Sequence, residues 1–246
     1  VIGLPAGVTA CLFDLDGVLT QTAKVHAAAW KQMFDDYLRR RAAQTGEAFV
    51  AFDPVRDYDE YVDGKPRYDG VRSFLASRKI ALPEGGPDDP PGAETIHRLG
   101  DSKNEIVLGL IRAHGVEPYE GSVRYVKAVQ AAGLRRAVVS SSTNCRDVLL
   151  AAGIQELFED VIDGIVAERD HLRGKPAPDT FLAGARALDV EPAEATVFED
   201  ALAGVEAGRA GHFGFVVGVD RVGQADALRA HGADVVVADL ADLLEA

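Results

Sequence analysis

An α/β fold is predicted for this chain, in which a doubly wound parallel sheet carries an inserted helical cap. Three features point there. Short apolar runs alternate with helix-length periodic segments through the C-terminal half. That alternation stops between about Thr22 and Glu117. Several of the apolar runs end in carboxylates or hydroxyls rather than in plain turn residues.

The first run, Thr9-Ala-Cys-Leu-Phe-Asp-Leu-Asp16, reads as a buried strand that leaves the core at Asp14 and turns at Gly17. Further strands are predicted at Arg136 to Ser140, Ala195 to Phe198, Gly214 to Val219 and Ala233 to Ala238. Helical patterns fall at Ser122 to Ala132, Asn144 to Ala152, Pro178 to Leu188, Ala201 to Ala210 and Val222 to His231. Strands that alternate with helices imply a parallel sheet covered on both faces. Residues 1–21 and 118–246 are therefore assigned to the core domain.

Residues 22–117 are assigned to the cap, with helices at Ala23 to Arg41, Tyr68 to Arg78 and Glu94 to His114 and no convincing buried strand. Within it, Leu82 to Gly92 is too rich in Pro and Gly for regular structure and reads as a surface connection.

With 246 residues, of which 47% are hydrophobic, the chain can bury a sizeable core. The net charge of −13 argues against a nucleic-acid surface, which needs clustered Lys and Arg. No apolar stretch is long enough for a membrane helix, and Val1 to Ala10 lacks a charged segment followed by a long apolar one, so a cytoplasmic location is expected. Cys11 and Cys145 lie far apart, form no zinc spacing and are expected to be small core residues.

In a parallel α/β sheet the ligand site lies outside the carboxyl ends of the strands. Four segments, read as four successive strand ends, carry reactive residue types there. Asp14 and Asp16, two apart on an extended segment, project to one side, and their mutual repulsion calls for a cation such as Mg²⁺ or for a proton. Ser140 to Asn144 sets hydroxyls and amides at a helix start, which suits phosphate oxygens, although helix capping by Thr143 or Asn144 explains the same residues. Lys175, between Gly174 and the Pro176-Ala-Pro178 run, is an ammonium aimed by a stiff loop or else an exposed loop lysine. Glu199 and Asp200 end a buried strand and are either further oxygen ligands for Mg²⁺ or acids complementing a helix N-terminus.

Taken in order, Asp14 to Thr20, Ser140, Lys175 and Glu199-Asp200 resemble the four motifs of the haloacid dehalogenase superfamily, and the match runs over essentially the whole chain. The resemblance implies that Asp14 attacks phosphorus and that Asp16 is the general acid and base. It implies Mg²⁺ held by Asp14, the Asp16 backbone carbonyl, Glu199 and Asp200, with Ser140 and Lys175 gripping the transferring phosphoryl group.

Thr22, His26 and Trp30 are similar in spacing to the start of the cap in the β-phosphoglucomutases. There the Thr and His help to place the acid/base Asp, and the Trp lies at the sugar end. His26 and Trp30, four apart on a helix, share a face and are expected to line a cleft between cap and core. Gly64-Lys-Pro-Arg67 is similar to that family's cap loop, which makes Arg67 the candidate for the phosphate that is not transferred, and Lys103 stands where a substrate-facing cap lysine is expected. Ser141, Ser142, Thr143 and Asn144 fall in the family's second-phosphate segment, where the family often has Lys in place of Thr143.

The resemblance implies a phosphomutase that interconverts β-glucose 1-phosphate and glucose 6-phosphate through a hexose 1,6-bisphosphate. Its partner is a small phosphorylated sugar, and a monomer is expected. The alternative is a phosphatase acting on a small sugar or polyol phosphate. A catalytically silent phosphate-binding protein of the same fold is the third class, opposed by the full set of acids and Lys175.

Overall fold

The computed structural model describes residues 2–244. Its elements in chain order are β1 (Ala10–Phe13), α1 (Ala23–Thr45), a π-helical turn (Tyr58–Val62), α2 (Arg67–Ser77), α3 (Ile96–His114), α4 (Glu120–Ala131), β2 (Arg135–Val139), α5 (Cys145–Ala151), β3 (Asp160–Ile162), α6 (Gly164–Arg169), α7 (Asp179–Ala187), β4 (Ala195–Glu199), α8 (Leu202–Ala210), β5 (Phe215–Val219), α9 (Ala225–His231) and β6 (Val235–Val237). They form two compact units. One comprises Val1–Thr22, Gly64–Pro66 and Val116–Ala246, the other Ala23–Asp63 and Arg67–Gly115.

In the first unit a six-stranded sheet runs in the order β3-β2-β1-β4-β5-β6, with every neighbouring pair parallel. This is the doubly wound, Rossmann-like arrangement that the alternating pattern predicts. β1 and β4 are buried along their whole length, as expected for strands covered on both faces. β1 lies between β2 and β4, so the chain winds outward from it in both directions, and the crevice at such a reversal is where ligands bind. Register then does the positioning. Phe13 is level with Val138 on one side and Phe198 on the other, so Asp14, Val139 and Glu199 leave the sheet at one height.

Each strand expected from sequence is present within a few residues of its expected bounds. β3 and α6 were not anticipated. β3 is three residues long at the sheet edge, and α6 is six residues long, so neither is long enough to show a period. Cys11 and Cys145 are both buried and free.

The second unit has its own core. Phe34 of α1 stacks on Trp30 and Phe52 at 5.3 Å each and meets Phe74 of α2 at 4.1 Å between ring centres. Asp35 pins the segment that follows α1: it accepts from the Phe52 N–H at 2.8 Å and from Lys31 at 2.9 Å. The Pro- and Gly-rich stretch 82–92 is irregular, with isolated turns. Among the described residues, no helix is long and apolar enough to cross a membrane.

Candidate active site

β1 delivers Asp14, whose N–H donates to the Phe198 carbonyl of β4 at 3.0 Å, so the sheet ladder itself fixes the start of the site. One residue beyond β2, Ser140 donates its N–H to Ile162 at 2.9 Å. β4 ends on Glu199, and Asp200 follows. Asp14, Ser140, Lys175, Glu199 and Asp200 are all buried.

Lys175 does not stand at a strand end, as sequence reasoning had it; only three strand tips contribute. It comes from the loop between α6 and α7 and reaches the strand tips from there. Its Nζ lies 2.5 Å from Asp14 Oδ1, 3.2 Å from the Val139 carbonyl and in contact with Glu199 Oε1. An ammonium has three N–H donors, and each has an acceptor here. The Phe181 ring, 4.9 Å away, adds a cation–π face.

Carboxylate oxygens of Asp14, Glu199 and Asp200 lie within 4.8 Å of one another. Burial, aided by the charges of Glu199 and Asp16, pushes the Asp14 carboxyl well above the usual range against the opposing pull of Lys175. Burial alone would lower the Lys175 pKa, but the charges of Asp14 and Glu199 outweigh it and hold the ammonium above its ordinary value. A buried set of hard oxygen donors with excess negative charge fits a magnesium ion. Close approach is built in: a Cβ on Gly17, which sits at φ +87°, would lie 1.8 Å from Asp200 Oδ2. A Cβ on Gly204 of α8 would lie 1.9 Å from the Glu199 carboxylate. Sequence reasoning missed Gly204, because a helical glycine gives no hint of what it faces.

The Asp16 side chain is held by the chain that follows β1. Thr22 Oγ1 donates to Asp16 Oδ1, and Thr20 Oγ1 lies 2.7 Å from Thr22 Oγ1. Thr22 has one proton and gives it to Asp16, so the single Thr20 proton is shared between Thr22 Oγ1 and the Leu15 carbonyl, 3.2 Å away. Thr20 is a further member of the site to which the sequence assigned no role.

After β2, the Ser140 and Ser142 hydroxyl oxygens each accept a backbone N–H two residues on, at 3.1 Å. The Asn144 side chain makes no cap to α5. Thr143 packs near Gly164, and Ser141 Oγ donates to the Gly64 carbonyl at 2.8 Å. Thus Gly64–Pro66, expected as cap, packs with the core unit. Pro66 lies so close to Gly174 that a Cβ there would be 2.0 Å from its Cγ.

In the second unit, Lys103 is buried at 5% exposure, 2.7 Å from His26 Nδ1 and 4.7 Å from the Trp30 ring centre. An ammonium only donates, so His26 accepts from it at Nδ1. His26 and Trp30 therefore share a helix face, as their spacing implies. Arg67 opens α2, with its guanidinium 5.0 Å over the Tyr68 ring and 3.9 Å from Asp101, and its buried Nε has no acceptor.

Comparison with known proteins agrees with this arrangement. Residues 8–212 match the haloacid dehalogenase-like hydrolase family. A β-phosphoglucomutase of Mycobacterium bovis is 58% identical over 99% of this chain and 94% of its own length. One from Bacillus subtilis is 30% identical over 95% of this chain and 91% of its own length. The crystal structure of a β-phosphoglucomutase from Clostridium difficile superposes with a TM-score of 0.73 at 26% identity, covering 96% of this chain and 93% of that one. The chain belongs to the haloacid dehalogenase-like hydrolase family, in its β-phosphoglucomutase-like branch, and is an enzyme of the phosphotransferase type.

Proposed function

We propose that the enzyme is a Mg²⁺-dependent phosphomutase that interconverts β-glucose 1-phosphate and glucose 6-phosphate through an aspartyl phosphate and a hexose 1,6-bisphosphate. The observation that carries this reading is the meeting of Asp14, Glu199, Asp200 and Lys175 in one buried group, while Thr22 donates a hydrogen bond to Asp16. The relative with 58% identity, named a β-phosphoglucomutase, supports the choice of substrate.

Asp14 is the nucleophile. In the phosphorylated enzyme its phosphoryl group passes to the 6-hydroxyl of β-glucose 1-phosphate, and Asp16 takes the proton of that hydroxyl. The bisphosphate turns round and returns its 1-phosphoryl group to Asp14, while Asp16 gives its proton to the departing O1. Dividing the transfer in this way replaces one difficult step by two easier ones. Mg²⁺, when held by Asp14, Glu199, Asp200 and the Asp16 carbonyl, supplies charge neutralisation that lets a carboxylate approach a phosphate dianion.

Lys175 and Ser140 are assigned to the transferring group. Glu199 also anchors Lys175 and accepts the Ala201 N–H at 3.1 Å, so it serves the lysine as well as the metal. Arg67, with Ser141, Ser142, Thr143 and Asn144, is assigned to the phosphate that is not transferred, for which a forked guanidinium is suited. His26, Trp30 and Lys103 are assigned to the sugar.

A second reading, a phosphatase of small sugar or polyol phosphates, is favoured by one observation. Thr143 offers no ammonium where the family often has a lysine. The test supplies β-glucose 1-phosphate, Mg²⁺ and a trace of glucose 1,6-bisphosphate and follows glucose 6-phosphate and free phosphate separately. Glucose 6-phosphate formation well ahead of phosphate release is expected; phosphate release without isomerisation overturns the mutase reading.

A further inference from the structure

We propose that Arg221 and Gln224, in the loop between β5 and α9, are positioning residues that hold the Asp16–Gly17 turn and Asp200 in the geometry the metal needs. The inference rests on the metal reading of the site given above.

Asp14 and Glu199 sit at strand tips, where the sheet ladder fixes the backbone. Asp16, Gly17 and Asp200 lie beyond it. Chain that has left the sheet is positioned only by whatever else bonds it. The carbonyls of this segment are held by side chains from far along the sequence. Arg221 Nε donates to the Gly17 carbonyl at 2.9 Å, and Ser122 Oγ donates to the Val18 carbonyl at 2.7 Å. Gln224 Nε2 donates to the Asp200 carbonyl at 3.0 Å. One short loop therefore grips both of the segments that press together where Gly17 meets the Asp200 carboxylate.

The loop is itself fixed. Asp220 Oδ1 accepts the N–H groups of Val222, Gly223 and Gln224 at 3.2, 2.7 and 2.8 Å, which folds the loop around a single carboxylate. The Arg221 guanidinium donates to the Ala238 carbonyl at 2.8 Å and to Asp239 at 3.1 Å, and it stacks 3.7 Å above the Tyr119 ring centre. A rigid guanidinium anchored on several sides sets the place of a carbonyl more firmly than a flexible ammonium does.

Mg²⁺ demands near-ideal octahedral geometry at short distances, so small shifts of ligand-bearing backbone weaken it disproportionately. Groups that orient the ligands without touching the metal commonly control affinity by about ten- to a hundred-fold.

The test is calorimetric titration of the purified full chain with MgCl₂, for wild type, Gln224→Ala, Arg221→Ala and Arg221→Lys, alongside thermal unfolding without metal. The Mg²⁺ dissociation constant is expected to rise about tenfold in both alanine variants, with partial recovery in Arg221→Lys. The kcat lost by Gln224→Ala at limiting Mg²⁺ is expected to return at saturating Mg²⁺. Should Arg221→Ala not fold, Gln224→Ala, which removes the single side-chain hydrogen bond from Gln224 to the Asp200 carbonyl, gives the answer alone. Magnesium affinity within about twofold of wild type in a folded Gln224→Ala would overturn the inference, because orienting groups carry larger effects. Absence of Mg²⁺ binding by the wild type would instead overturn the metal reading on which it rests.

Discussion

Lys175 and Asp14 meet at 2.5 Å in a buried place, the lysine side chain only 1% exposed. The same ammonium touches Glu199, so one cation separates two carboxylates that would otherwise face each other unscreened. Breaking a buried ion pair by removing one partner is far costlier than deleting a surface pair. Lys175→Met is expected to lower the metal-free stability by about 3–5 kcal/mol, read from urea unfolding, with Mg²⁺ restoring part of the loss.

Asp14→Asn should behave differently. Burial disfavours the charged form of this carboxyl, and Glu199 remains as counter-charge to Lys175. Stability is expected to stay within about 1 kcal/mol of wild type, while turnover falls by about 10⁴-fold or more, as for a lost nucleophile. Steady-state kinetics and thermal unfolding on the same preparation check both halves.

Thr22 orients Asp16 through its hydroxyl, with Thr20 behind it. Thr22→Val keeps the shape and removes the donor, so the transfer rate is expected to drop by about ten- to a hundred-fold with substrate KM little changed. Thr22→Ser, which restores the hydroxyl, is expected to recover most of the rate.

Asp59, in the π-helical turn, has its carboxyl pushed up to about 6 by burial and then by the charge of Asp53. A raised folded-state pKa means that the native protein binds the extra proton between about pH 4 and pH 6, so this group's contribution to stability falls as pH rises through that window. The side chain is partly exposed, and solvent screening reduces the effect to the order of 1 kcal/mol. Unfolding of Asp59→Asn against wild type is expected to show the variant more stable at pH 7.5 and the difference vanishing near pH 4.

The sheet and its reactive tips were legible because parallel strands buried on both faces are near-continuous apolar runs, and Asp14, Ser140 and Glu199 follow such runs directly. β3 was not, since Asp160–Ile162 is too short to stand out from a loop. That Lys175 lies on a loop was legible from Gly174 and Pro176 beside it, but not that the loop follows α6 rather than a strand, because a six-residue helix is too short to show a period. Arg221 and Gln224 gave no signal at all, because their partners Gly17 and Asp200 are far away in sequence and the bonds run to backbone carbonyls, which no residue type announces. The attachment of Gly64–Pro66 to the core unit escaped notice likewise, resting on a carbonyl bond to Ser141 and a close fit against Gly174.

The most direct test of a covalent role for Asp14 is chemical trapping. Enzyme mixed with Mg²⁺ and a radiolabelled phosphoryl donor is quenched within milliseconds, the acyl phosphate is reduced with borohydride, and the modified peptide is mapped by mass spectrometry. Reduction of Asp14 to homoserine, in proportion to the label bound and absent without Mg²⁺, is expected. Turnover accompanied by modification at another residue, or by none at Asp14, would contradict the mechanism.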